Sequence, residues 1–359
     1  MKKNSKSVAS KTQGFGALSH LMLALKSSIC HSPFATRYSL FANDRGVALV
    51  IVLWILVFLL VAAFDFSASV REEGMIAHRY VEETEAYYLA LAGFEERLYR
   101  LLAGGSGASA EGEVEFGEWH EAALGDGSFR VRVVDEGGKV NLNQAEEVLL
   151  RRIFANLGVE EPQRSTLVDS ILDWRDQDNL HRLNGAENDY YLSLALPYTA
   201  KNGPFDTVED LLWVRGMTPE LFYGREEGGT RRGGLREIFT VDSRLNQINL
   251  RTASAEVCRA VMGLPLEGCH RFVEERKKLS GNTLVDLLGL LGLSTQDIRT
   301  YGLVFVPPSV VTIESLGYRS GSAIPRRVRG VLRLLEGGRG AELIRWLDRD
   351  AGPSPGSAG

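Results

Sequence analysis

Cysteine is scarce in this 359-residue chain, with copies only at 30, 258 and 269. That excludes a disulfide-framework fold and a four-cysteine metal site. Histidine is scarce too. His20, His31, His78, His120, His181 and His270 never fall at the spacing by which two imidazoles share a metal on one helix. No G-x-S-x-G, no P-loop and no G-x-G-x-x-G in strand–helix context is present, so the sequence offers no nucleophile elbow or phosphate cradle and reads as a non-enzyme. Positive charge is also short. The 41 Lys and Arg are outnumbered by 46 Asp and Glu. Seven of the basic residues crowd into residues 1–46 beside a single acid, leaving 34 against 45 in the rest. A body so acidic is a poor match for a phosphate backbone.

Long hydrophobic runs are absent but for one. Val47 to Phe64 is 18 residues without a charge, the threshold for a transmembrane helix. The competing reading is a cleaved secretory segment, but such segments are typically about 7–15 residues and end in small residues. Here Asp65-Phe66-Ser67-Ala68 comes next, and the small residue, Gly46, stands in front. The basic head before the run stays cytoplasmic and places the body on the far side of the membrane. Beyond the run, Ile76, Tyr80, Thr84, Tyr87, Leu91, Phe94, Leu98 and Leu101 recur at threes and fours, one face of a continuing helix.

Alternating residues at Ser128–Val134 predict a half-buried strand, and Val310–Tyr318, Arg326–Leu335 and Ala341–Leu347 are three more. Between them lies an internal repeat. Val140-Asn141-Leu142-Asn143-Gln144-Ala145 returns as Ile248-Asn249-Leu250-Arg251-Thr252-Ala253, and the Phe205–Leu212 stretch is paralleled by Asn282–Leu288. These tandem modules look like helix-hairpin-helix or SAM-like units. Such hairpins bind phosphate through a Gly-x-Gly turn, whereas here the turns read Arg215-Gly216-Met217-Thr218-Pro219 and Gly263-Leu264-Pro265-Leu266-Glu267.

Asp173, Asp176, Asp178, Glu187 and Asp189 place five carboxylates within 17 residues, with Asn179, Asn184 and Asn188 among them. Hard oxygen donors on a loop suit Ca²⁺. The spacing is not that of an EF-hand, and a solvated acidic loop with helix caps is the competing reading. Cys258 and Cys269 face a similar choice. In an oxidising compartment they form either a disulfide, worth roughly 3 kcal/mol for so short a loop, or two buried thiols.

A basic leader ending in Gly, then an apolar helix running into an amphipathic one, resembles type IV pilins and pseudopilins. The stretches Ile171–Asn179, Gly185–Tyr191, Asn202–Asp206 and Leu211–Thr218 are more specific, and resemble the minor pseudopilin K family of type II secretion. That resemblance implies an α+β fold, a long pilin-like helix on an antiparallel sheet carrying a large all-helical insertion. The corresponding segments are a leader 1–46, a membrane helix 47–66 and its periplasmic continuation 67–102. Residues 126–137 and 309–350 form the sheet around an insertion at 138–305, with repeats 138–240 and 241–305, and 351–359 is a disordered tail. It also implies that prepilin peptidase cuts between Gly46 and Val47 and methylates Val47, whether translation starts at Met1 or Met22. Family members usually have Glu at the fifth mature position; here it is Ile51, a trait of tip subunits. Expected partners are minor pseudopilins I, J and H, the peptidase and inner-membrane lipid, with no nucleic acid. Expected function is to initiate and cap the pseudopilus that exports folded proteins. Calcium binding in the helical domain of family members implies a structural Ca²⁺ on the five carboxylates. The alternative function is a membrane-tethered helix-hairpin-helix protein that binds nucleic acid.

Overall fold

The computed structural model describes residues 44–104, 114–227, 230–278, 283–322, 325–335 and 340–348. Most of the leader and the 351–359 tail lie outside the described residues. The order begins with α1 (Asp44–Gly104), β1 (His120–Leu124), β2 (Gly127–Asp135), β3 (Val140–Asn141), α2 (Glu147–Asn156), α3 (Gln163–Arg175) and α4 (Asn188–Leu192). It continues with a 3-10 helix (Val208–Trp213), α5 (Pro219–Tyr223), β4 (Gly224–Glu227), β5 (Thr230–Gly233), α6 (Leu235–Ile238) and β6 (Phe239–Thr240). Next come β7 (Ile248–Asn249), α7 (Ala255–Met262), α8 (Leu266–Lys278), α9 (Leu284–Leu291) and α10 (Asp297–Tyr301). It closes with β8 (Leu303–Val304), β9 (Val310–Arg319), β10 (Arg326–Leu334) and β11 (Ala341–Leu347).

The chain divides into two compact units, Met1–Glu72 and Glu73–Gly359. In the first, every side chain from Val47 to Phe66 is exposed. Among the described residues α1 is the one helix long and apolar enough to cross a membrane. Exposed leucine, valine and phenylalanine over that length are unfavourable in water and favourable in lipid, which is the physical content of the anchor reading.

In the second unit an antiparallel sheet of order β1-β2-β9-β10-β11 packs on one face of α1. Period-two alternation explains it: Phe129, Val131 and Val133 point inward from β2, with arginines 130 and 132 between them. Val311, Ile313, Val328 and Leu332 complete that layer, against Ala90 and Phe94 of α1. Helix and sheet touch closely at Gly317, where any Cβ would run into the Ala86 carbonyl oxygen. Four of the five strands were expected from alternation. The fifth, β1, extends the sheet before the expected start at 126, and joins β2 through a tight turn at Gly125, φ +57°.

The helical part, inserted between β2 and β9, has its own core. It contains the same bonding pattern twice. β3 pairs in parallel with β6, and β7 pairs in parallel with β8. Asn141 Oδ1 accepts from the Asn143 N–H at 2.9 Å, and Asn249 Oδ1 from the Arg251 N–H at 3.3 Å. Arg175 at the end of α3 donates to the Leu142 and Ala145 carbonyls at 2.7 and 2.6 Å. Arg276 of α8 donates to the matching carbonyls of Leu250 and Ala253 at 3.0 and 2.8 Å. Capping boxes at Thr207/Asp210 and Thr283/Asp286 start the equivalent later turns. The second module and β9 are both tied to the end of β2. The Asp135 carboxylate accepts from Asn249 Nδ2 and Thr252 Oγ1, and Glu136 accepts from Thr312 Oγ1 at 2.6 Å.

Cys258 and Cys269 are both buried and both free thiols. The bridge that the sequence permits is not formed in this structure. Each sulfur belongs to the apolar core between α7 and α8, and the Cys269 thiol donates weakly to the Leu264 carbonyl at 3.9 Å. Burial pushes Cys258 up to about 12 and Cys269 to about 11, so both are poor nucleophiles.

Candidate functional site

The two modules differ most in the chain that leads away from the clamp arginine. Residues 277–282 suffice to join Arg276 to Thr283, whereas 176–206 separate Arg175 from Thr207. That extra loop carries the acidic cluster. It is anchored on α3, whose residues from Leu167 to Trp174 are all buried.

Two acids of α3 serve as anchors. Asp169 Oδ2 accepts from the backbone and side-chain amides of Asn184 at 3.2 and 3.1 Å, and its Oδ1 from Arg151 at 3.1 Å. Asp173, wholly buried, accepts from the Arg182 backbone N–H at 3.0 Å and from its guanidinium at 2.6 Å. Burial pushes the Asp173 carboxyl above its ordinary range, and the Arg182 contacts oppose that rise. Gly185 must be glycine, because a Cβ there would strike the Asp173 carboxylate.

Three of the expected acids converge. Oxygens of Asp176, Asp178 and Glu187 lie within 4.8 Å of one another. Asp173 and Asp189 do not join that triad: Asp173 is engaged by Arg182, and Asp189 Oδ1 accepts from the Tyr190 N–H at 2.8 Å at the start of α4. The triad is short of hydrogen-bond donors. Glu187 is 1% exposed, yet neither of its carboxylate oxygens has a hydrogen-bond partner. Asp176 Oδ1 and Asn202 Oδ1 are buried and unpartnered as well. Buried carboxylate oxygens without donors are costly unless a proton or a cation takes them. Burial first, and then the charges of Asp173, Asp176, Asp178 and Asp189, push Glu187 up to about 7. The donor set is all oxygen, which fits a hard divalent cation such as Ca²⁺.

Sequence reasoning missed Arg182, which bridges Asp173 and Asp176 with its guanidinium 2.8 Å from the latter. It also missed Asn202, held by its amide to the Asp178 carbonyl at 2.6 Å and to Asn179 Oδ1 at 3.0 Å. The one available signal at Asn202 was the Asn-Gly pair before Pro204: Asn202 adopts φ +48°, a conformation asparagine tolerates better than most residues.

Comparison with known proteins bears on the same region. The family model for the first domain of type II secretion system protein K matches residues 129–224, from β2 through the acidic loop to α5. A type II secretion system protein K from Pectobacterium carotovorum is 23% identical over half of this chain and 61% of its own length. The Pseudomonas aeruginosa protein K is 33% identical over 47% of this chain and 56% of its own length. This chain thus spans somewhat over half the length of the curated relatives it matches. The crystal structure of the GspK-GspI-GspJ complex from the enterotoxigenic Escherichia coli type 2 secretion system contains a chain of similar fold. The TM-score is 0.57 at 15% identity, covering 76% of this chain and 98% of that one. By matched domain, relatives and fold, the chain is similar to type II secretion system protein K.

Proposed function

We propose that this chain is a minor pseudopilin at the tip of a type II secretion pseudopilus, where it helps initiate and cap assembly for export of folded proteins. The observation that carries this is the bulky helical insertion mounted on a helix-and-sheet scaffold with an exposed apolar anchor. A subunit of that build leaves no room for another stacked above it, so it belongs at an end. Ile51 in place of an acid removes one charge pair that would hold it mid-fibre. The role is mechanical, with no bond chemistry.

On this reading prepilin peptidase cuts at Gly46–Val47, the helix from Val47 to Phe66 stays in the inner membrane, and the rest is periplasmic. The insertion is two tandem helix-hairpin-helix or SAM-like modules, supported by the duplicated arginine clamp. Asp176, Asp178 and Glu187 hold a structural Ca²⁺, and Asn202 Oδ1 is an additional donor. The ion would supply the charge that those oxygens lack and fix the loop to α3. Partners are minor pseudopilins I and J, as the GspK-GspI-GspJ complex of Escherichia coli suggests, and minor pseudopilin H. The nucleic-acid alternative has no support, since the acidic balance and both hairpin sequences disfavour it.

Co-isolation tests the proposal. Full-length chain, extracted in mild detergent from cells that also make proteins I and J of the same secretion system, is expected to carry both. Recovery of the chain alone, with I and J bound to each other, would overturn the tip assignment.

A further inference from the structure

The hairpin turn of the first helical module is filled by groups that the chain itself supplies. The capping boxes at Thr207/Asp210 and Thr283/Asp286 set the two modules in register. In that register Gly216 falls on Gly292, and both turn the chain at positive φ, +84° and +68°. The residue just before them differs: Arg215 in the first module, Leu291 in the second. Leu291 packs against the helical core, in the module whose sequence has no counterpart of comparable length to residues 176–206.

Arg215 grips the acidic loop on both sides of Glu187. Its guanidinium donates to the Gly185 carbonyl at 3.0 Å and lies over the Tyr190 ring, 4.5 Å from the ring centre. Its backbone N–H donates to the Tyr191 hydroxyl at 3.2 Å. Tyr190 and Tyr191 in turn donate their backbone N–H groups to the Glu187 carbonyl, at 3.0 and 3.1 Å. Two residues before Arg215, the Trp213 carbonyl accepts from the Tyr198 hydroxyl at 2.7 Å. Gly185 also lies close against the Asp173 carboxylate. The chain that carries Glu187 is thus held by α3 from one side and by the hairpin turn from the other. Glu187 is the buried carboxylate whose two oxygens lack donors. A guanidinium suits this place because its plane stacks on a ring while its edge donates to a carbonyl, which an ammonium does not do at once.

We infer that Arg215 is a positioning residue for the cation site: it sets the main chain on both sides of Glu187, and so ties calcium binding at Asp176, Asp178 and Glu187 to the order of the hairpin turn 213–217. This rests on the calcium reading and makes the hairpin part of the site. Such coupling runs both ways: whatever fixes the hairpin tightens the site, and an ion in the site fixes the hairpin.

The test combines calcium titration by calorimetry with amide hydrogen exchange, on the full-length chain in mild detergent. In the parent chain calcium should slow exchange both in residues 176–189 and in residues 208–218. Arg215→Leu installs the side chain that the equivalent turn of the second module already carries. It should weaken calcium binding by about 10–100-fold, the usual cost of losing a group that orients a metal ligand. At saturating calcium its 176–189 segment should still be slowed and its 208–218 segment should not. Arg215→Lys keeps the charge and should recover little of the loss; it carries the test if the leucine variant fails to fold. Parent-like affinity in a folded Arg215→Leu, or in Arg215→Lys, would overturn the inference and leave the calcium reading standing. So would a parent chain that binds calcium with no change in hairpin exchange. A parent chain that binds no calcium removes both.

Discussion

At the scale of single residues, Glu187 is the group most out of place. It is a buried carboxylate, without donors, in a field of other carboxylates. Its folded-state value near 7, against 4.5 for a free glutamate, makes the ion-free folded protein bind more protons than the unfolded chain between those pH values. Stability of the chelated protein should therefore rise as pH falls from about 7 to about 4.5. Calcium reverses that slope, because an ion competes with the proton and is released as the acids protonate. Thermal melts across pH, with chelator and with millimolar calcium, read both directions. Glu187→Gln should raise the melting temperature of the ion-free protein and erase the calcium-dependent increment. A calcium increment that survives Glu187→Gln would place the ion elsewhere. Five acids in this stretch were visible in the sequence as a group. Which three converge was not, because the sorting is done by Arg182, nine residues beyond Asp173 and indistinguishable from any surface arginine in the linear sequence.

Among the secondary-structure elements, the recurring unit is a short parallel strand pair closed by an arginine at the far end of a helix. The sequence repeat was legible because Asn141 and Asn249 must each fold back on the chain two residues later. The arginines were not legible as partners, since Arg175 and Arg276 stand at different distances from the carbonyls they bind. Each satisfies two main-chain oxygens that would otherwise lose their donor. Arg175→Ala and Arg276→Ala should each cost about 2–6 kcal/mol in denaturant melts, taking about 1–3 per stranded buried group. At Arg175, whose two carbonyls take different nitrogens, lysine should restore little, because a point charge cannot serve both as a planar fork does. A cost below about 0.5 kcal/mol at either position, the level of an ordinary surface substitution, would show that the clamp is incidental. Alternation revealed the four longer strands and missed β1, whose His120-Glu121-Ala122-Ala123-Leu124 is short, exposed and without β-branched residues.

For the whole molecule, one chain joins an apolar helix, a helix-and-sheet layer and a duplicated helical insertion. The apolar run was the plainest signal in the sequence, since no other stretch of 18 residues is both apolar and without a charge. Most of the leader lies outside the described residues, and on the proposed reading its removal precedes assembly. Mass spectrometry of the mature N-terminus reads that step without an intermediary. The expected species is a chain beginning at N-methylated Val47. A mature protein that begins beyond Phe66, released from the membrane, would contradict it.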